Sequence, residues 1–483
     1  MRRILAAVCL VCLLTSSGLA QQSSEFALHY ERDSCNRVNP HQQIIVGNIR
    51  LSGNNVTHEN IIFREMELFS GDTVNMNTFC RLAMQSRSNL LNRGLFNFVM
   101  VDTTQTNGET PVIDLDFKFI ERWYVWPLPI FELADRNFNS WLDNRDWSRV
   151  NYGVFITHNN FRGRMEKLKL LLRAGYNQNY VLRYEIPYLT EKQTLGLGIW
   201  AGLSRSRELP YAIEDDKYLY IKQEDRYTHN NFFTNISLTY RQGYRNLHTF
   251  MVGYERFQFA DTVLKLNPEF TGSGLEETSF FTFNYQFKHD HRDYAPYPLN
   301  GHYFDAEFAK RGIGWPDKEP NFFTVKATFD LYRKLGPRWH WASNVTGKVT
   351  LGSDVPFHLR RGLGFGNDFV RTFELYVIDG EHFALSKNNL KFTVLKPRIS
   401  DLSFLPTERF SKIHYAIYAN LFFDAGYVDS SISWPGSRMQ NTMIYGTGIG
   451  LDFVTYYDMV FRFEYGINRF NETGYFIHFV API

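Results

Sequence analysis

From Trp123 onward the chain repeats one pattern: segments of about ten residues alternate apolar and polar side chains, with Gly, Asn, Asp and Pro between them. Phe323, Val325, Ala327, Phe329 and Leu331 interleave with Thr324, Lys326, Thr328 and Asp330. Phe281, Phe283, Tyr285 and Phe287 do so with Thr282, Asn284, Gln286 and Lys288. The stretches Leu168 to Tyr176 and Met459 to Tyr465 follow suit. A period of two is the signature of a strand with one greasy and one wet face. A soluble sandwich alternates as well, but its buried face is mostly aliphatic. Here that face is loaded with rings, in a chain that is 17% Phe, Tyr and Trp. Strands of ~9–11 residues with aromatic girdles suit a bilayer, and in hydrocarbon a sheet must close on itself to pair its backbone. The expectation is a mainly β protein whose residues 123–483 form a transmembrane antiparallel β-barrel of about 16 strands. Pro127 and Pro129 in the first strand, and Pro482 at the end, cannot donate to a ladder, so the first and last strands should meet in a weak seam.

No segment of the processed chain approaches the ~20 apolar residues of a membrane helix. The net charge of +2 leaves no polybasic surface, so no nucleic-acid partner is expected. Residues 1–20 read as a secretory signal: Arg2-Arg3, an apolar run from Ile4 to Leu14, then Gly18-Leu19-Ala20. Residues 21–42 form an N-terminal extension. Removing the signal also removes Cys9 and Cys12 and leaves Cys35 and Cys80, which can bridge in an oxidising compartment or stay free.

Residues 43–122 differ, reading as strand, helix, helix, strand, strand. Ile44 to Ser52 is a strand; Thr57 caps a helix through Leu68; Asn77 to Asn92 is a second helix, stopped by Gly94. Ile113, Leu115, Phe117 and Phe119 alternate with Asp114, Asp116 and Lys118 in the last strand. With Ile49-x-Leu51-x-Gly53-Asn54, Arg64-Glu65, Gly71-Asp72 and Leu91-Asn92-Arg93-Gly94-Leu95-Phe96 in this order, the stretch resembles a POTRA domain. Such modules can take extended segments by strand addition.

The longest connection, about 353–380, carries Val370-Arg371-Thr372-Phe373, and alternation in 413–424 turns Asp424 into the lumen. An arginine on that loop can fold inward onto the carboxylate. These segments, with Phe422-x-Asp424-x-Gly426, Asp290-x-Arg292, Pro298-x-x-Gly301 and Gly446-x-Gly448-x-Gly450, resemble the BamA/TamA-like superfamily of outer-membrane assembly and translocation barrels. The resemblance implies a lumen-loop lock made by Val370, Arg371, Phe373 and Asp424. Thr372 stands where the family usually has Gly, and Lys391 where it often has a second acid, so Arg371 is expected to rely on Asp424 alone with Lys391 competing. The resemblance further implies a bacterial outer-membrane location, a periplasmic POTRA domain, and insertion or translocation of unfolded outer-membrane clients, with membrane lipid and accessory lipoproteins as partners. A passive channel or surface scaffold of the same architecture is the alternative. No catalytic set, cofactor motif or metal-ligand spacing emerges: His289-Asp290-His291 reads as a turn at the lumen rim and Glu214-Asp215-Asp216 as a solvated loop. The chain is therefore read as non-enzymatic.

Overall fold

A computed structural model describes residues 41–106, 110–133, 150–313, 320–352, 355–401, 411–455 and 459–478; the signal segment and Cys35 lie outside these. The N-terminal module comprises β1 (Gln43–Ser52), α1 (Glu59–Phe63), β2 (Thr73–Asn75), α2 (Met76–Asn92), β3 (Phe96–Thr106) and β4 (Val112–Glu121). Its sheet runs β2-β1-β4-β3, with β1 and β4 parallel. Asn75 Oδ1 accepts from Thr78 N at 2.8 Å to start α2, and Gly94, at φ 70°, turns the chain out after it. Ile44, Leu115, Phe117, Phe96, Phe79 and Leu90 close the core between sheet and helix. The first helix is a single turn rather than a run to Leu68, because Met66 and Leu68 bury themselves from the turn that follows. β2 was not expected; three residues are too few to show a period.

The second part begins with β5 (Val125–Leu133), β6 (Val150–Phe161), β7 (Glu166–Gly175), β8 (Gln178–Ile186) and β9 (Leu195–Ser206). A hairpin, β10 (Glu208–Glu214) and β11 (Lys217–Lys222), interrupts the series. The large sheet resumes with β12 (His229–Gln242), β13 (Asn246–Phe259), β14 (Glu277–Asp290), β15 (Gly301–Arg311), β16 (Phe322–Lys334) and β17 (Trp339–Gly352). It ends with β18 (His382–Asp401), β19 (Lys412–Asp429), β20 (Ile444–Val454), β21 (Val460–Asn468) and β22 (Thr473–His478). These make one antiparallel sheet of 16 strands in chain order, with β10 and β11 outside it. Among the described residues no ladder joins β5 to β22, the two strands at the ends of the sheet order, and the seam of the cylinder lies between them.

Alternation sorts the two faces. On β19, Leu421 and Phe423 are 54% and 51% exposed outward, whereas Phe422 and Asp424 are 1% and 0% exposed inside. Short turns such as 162–165 and 243–245 face the N-terminal module, and the loop 355–381 lies at the far end.

Candidate functional site in the lumen and at its rim

The loop between β17 and β18 folds back on itself through a Leu363–Ile378 bridge and sends its apex into the cylinder. Val370 and Phe373 anchor it in an apolar cluster with Leu385, Val428 and Ile444 on the wall. Between them Arg371 is fully buried. Its Nε and Nη2 donate to Asp424 Oδ2 and Oδ1 at 2.7 and 2.6 Å, its backbone N donates to Oδ2 at 3.2 Å, and Nη1 reaches Asn389 Oδ1 at 2.8 Å. The guanidinium lies 4.2 Å from the Phe422 ring centre. A fork against a carboxylate, with further acceptors for the remaining N–H groups, is the geometry in which a buried arginine is satisfied.

The structure adds a partner that the sequence reading lacked. Glu464 Oε1 accepts from Arg371 Nη1 at 3.1 Å, so Arg371 does not rely on Asp424 alone. Nor does Lys391 compete there. In the β18–β19 register Asp424 sits opposite Lys387 and Lys391 opposite Asn420, four residues away, or roughly 13 Å along the strand. Lys391 instead lies 4.2 Å from the Tyr297 ring. Glu464 was legible as a lumen-facing residue of β21; its reach to Arg371 was not, because it crosses β20 at Gly450, which has no side chain in the way.

The glycines of β20 explain the room for the loop. A Cβ on Gly446 would lie 2.1 Å from Thr372 Oγ1 and 2.4 Å from the Arg371 carbonyl oxygen. Thr372 itself has φ 80°, a left-handed conformation that a β-branched residue adopts only under strain. A Gly would meet no such cost at this position.

A second buried pair braces the module end of the lumen. Arg462 donates to Asp452 at 2.7 and 3.0 Å, and Asp452 also accepts from Asn420 at 3.0 Å and from Tyr297 Oη at 2.7 Å. Tyr297 belongs to the turn between β14 and β15, where Arg292 grips Asp290 at 2.6 Å. The His289 and His291 rings pack on His302. Glu214-Asp215-Asp216 is the tip of the β10–β11 hairpin rather than a solvated loop: Asp216 is buried and accepts from Ser437 Oγ at 2.6 Å and Arg438 N at 2.9 Å. That hairpin, the segment 357–359 and Trp434 cover the far mouth.

At the opposite rim the signature residues of the module meet the barrel. Glu65 is fully buried and accepts from Arg241 through both guanidinium Nη atoms, with Nη2 at 2.7 Å. Tyr188 Oη donates to it at 2.8 Å and Arg93 approaches to 3.3 Å. Burial pushes the Glu65 carboxyl up, but Arg93 and Arg241 outweigh it and hold the group at about 2. Burial, then the Glu65 charge, raises the Tyr188 phenol to about 12. Arg64 donates to the Gln193 and Gly243 carbonyl oxygens, and Asn92 receives the Ala295 N–H at 3.0 Å. The pair Arg64-Glu65 and the run Asn92-Arg93 thus form a docking face. Cys80 is disulfide-bonded, and its expected partner Cys35 lies outside the described residues.

The family model described as "Surface antigen variable number repeat", POTRA, matches residues 44–122, and the Omp85 superfamily domain matches residues 160–382. No curated protein matches the sequence. Among solved structures, CdiB from Escherichia coli is 12% identical, with 91% of this chain and 74% of that one covered at a TM-score of 0.52. BamA from Haemophilus ducreyi lacking POTRA domains 1–3 is 17% identical over 90% of this chain and 83% of that one, at a TM-score of 0.49.

Proposed function

We propose that the chain is an outer-membrane barrel of the Omp85 superfamily with its POTRA domain in the periplasm, and that it inserts or translocates client polypeptides at the outer membrane. The observation that carries this reading is the seam. Every other neighbouring pair of barrel strands forms a ladder, whereas β5 and β22 share none among the described residues. An unpaired edge in hydrocarbon is costly, and a client strand that adds to it lowers that cost. The periplasmic domain receives unfolded outer-membrane proteins by strand addition, accessory lipoproteins assist it, and the surrounding lipid takes the product. Folding into the bilayer is downhill, so the process is non-enzymatic and needs no cofactor. Arg371 and Asp424, with Val370 and Phe373 beside them, serve as the lock that keeps the loop in the lumen.

The division accompanying this reading is signal peptide 1–20, extension 21–42, POTRA domain 43–122 and barrel 123–483, with Cys35 bridged to Cys80. Both cysteines of the processed chain should then resist alkylation until reductant is added; ready alkylation beforehand would refute the bridge. A passive channel is the rival reading, and the loop and Tyr297, which both lie inside the cylinder against its wall, weigh against it. Joining Ile130→Cys to Ile477→Cys by a crosslinker across the seam separates the two. With the joined protein in proteoliposomes, an added urea-unfolded outer-membrane barrel should lose its accelerated folding and regain it on cleavage of the link. Acceleration that survives a closed seam rejects lateral insertion.

A further inference from the structure

Glu374 follows Phe373 on the lumen loop, Glu464 projects inward from β21, and His478 does so from β22. Their facing atoms lie within 4.8 Å of one another. His478 Nε2 is 3.1 Å from Glu374 Oε1 and 3.4 Å from Glu464 Oε2. Despite those separations none of the three atoms has a hydrogen-bond partner among the described residues, so the contacts lack hydrogen-bond direction. The Glu464 side chain is fully buried, and its Oε2 meets the imidazole without a directed hydrogen bond, so the contact is either an ion pair with a protonated His478 or two ligands facing one cation.

We propose that Glu374, Glu464 and His478 bind a divalent metal of the zinc class and thereby staple the lumen loop to the last strand. Ligand atoms ~2.0–2.1 Å from a tetrahedral ion stand about 3.3 Å apart, close to both separations here. Two carboxylates and one imidazole, with a fourth position left to water, suit zinc and its transition-metal neighbours. Calcium and magnesium prefer six or more oxygen ligands. The ligands are oriented from behind: Arg371 holds the other Glu464 oxygen at 3.1 Å, and Phe369 stacks on the imidazole at 6.0 Å between centroids. Glu374 stands 90 residues before Glu464, and Glu464 and His478 lie on consecutive strands 14 residues apart, so no short spacing motif announces them. The site stands whether or not the barrel inserts clients.

The untagged, processed full chain in detergent micelles, stripped by chelator, is titrated with zinc chloride in competition with a chromophoric chelator. One equivalent should bind, and His478→Ala and Glu374→Gln should each weaken binding by about 100-fold. Heat-dependent gel mobility establishes that each variant is folded, and if His478→Ala is not, Glu374→Gln decides alone. Cobalt in place of zinc should give a tetrahedral visible spectrum that the folded variant lacks. Absence of zinc binding by the folded wild type overturns the proposal, as does binding unchanged in the variants. The first outcome would leave the three groups sharing a proton instead.

Discussion

Arg371 is held by two carboxylates, a side-chain amide and an aromatic face, yet the contacts are unequal. Asp424 takes three of its N–H groups, the backbone included, and Glu464 one. Asp424→Ala leaves the guanidinium buried with Glu464 as its remaining carboxylate, a loss of about 3–5 kcal/mol for a desolvated pair, reduced where lumen water reaches it. Proteolysis within 355–381 should accelerate and thermal unfolding in detergent should shift down; unchanged cleavage would show that the apolar anchors alone hold the loop. Gly446 offers a steric test of the same apex. Gly446→Ala drives a methyl into Thr372 Oγ1 and the Arg371 carbonyl oxygen, an overpacking cost of about 1–3 kcal/mol. Adding Thr372→Gly should recover only part of the lost stability, because the backbone oxygen stays where it was. Full recovery would mean that the side chain alone set the fit.

The elements themselves were largely legible, and the reason is physical. A barrel strand of ten or more residues shows both faces several times over, so segments such as 281–288 and 323–331 declare their direction in sequence. The short pieces did not: β2 has three residues, and the β10–β11 hairpin sits in a polar connection whose Tyr218, Tyr220 and Ile221 give too brief a pattern. Side-chain partners across strands were legible only where register could be inferred, hence Asp424 was found and Glu464 missed. The docking of Arg64-Glu65 was likewise invisible, since a charged pair ordinarily marks a solvated face. Its energetics are testable. The folded Glu65 carboxyl titrates at about 2 against an ordinary 4.5, so its contribution is fully present above pH 4.5 and disappears as pH falls through 2. The shift corresponds to roughly 3 kcal/mol. Docking of the module, followed by hydrogen exchange at Tyr188 to Thr194, should stay constant from pH 7 to about 5 and weaken below. Arg241→Ala should produce the loosened pattern already at neutral pH. Protection unaffected by that substitution would assign the docking to the Arg64 and Asn92 contacts.

At the scale of the whole molecule, the sheet is held unevenly. β12 pairs with β13 over fourteen residues and β18 with β19 over seventeen, whereas β21 and β22 share six and β22 meets no strand on its other side among the described residues. β5 is in the same position, with Pro127 and Pro129 withholding two donors. The turn carrying Tyr297 and the loop carrying Arg371 pack inside the cylinder against β18 to β21, and the far-mouth hairpin packs against β13 and β14, whereas β22 meets the loop at its end, through His478. Local opening follows the elements with the fewest partners. Backbone amides of β5 and β22 should therefore exchange with deuterium faster than those of β12 to β14 in the same micelle. Zinc that staples His478 to the loop should slow β22 and leave β5 unchanged, since no proposed ligand lies on β5. Equal protection around the whole cylinder would mean that the seam is closed in the membrane-like state, and with it the route by which a client strand could leave sideways into lipid.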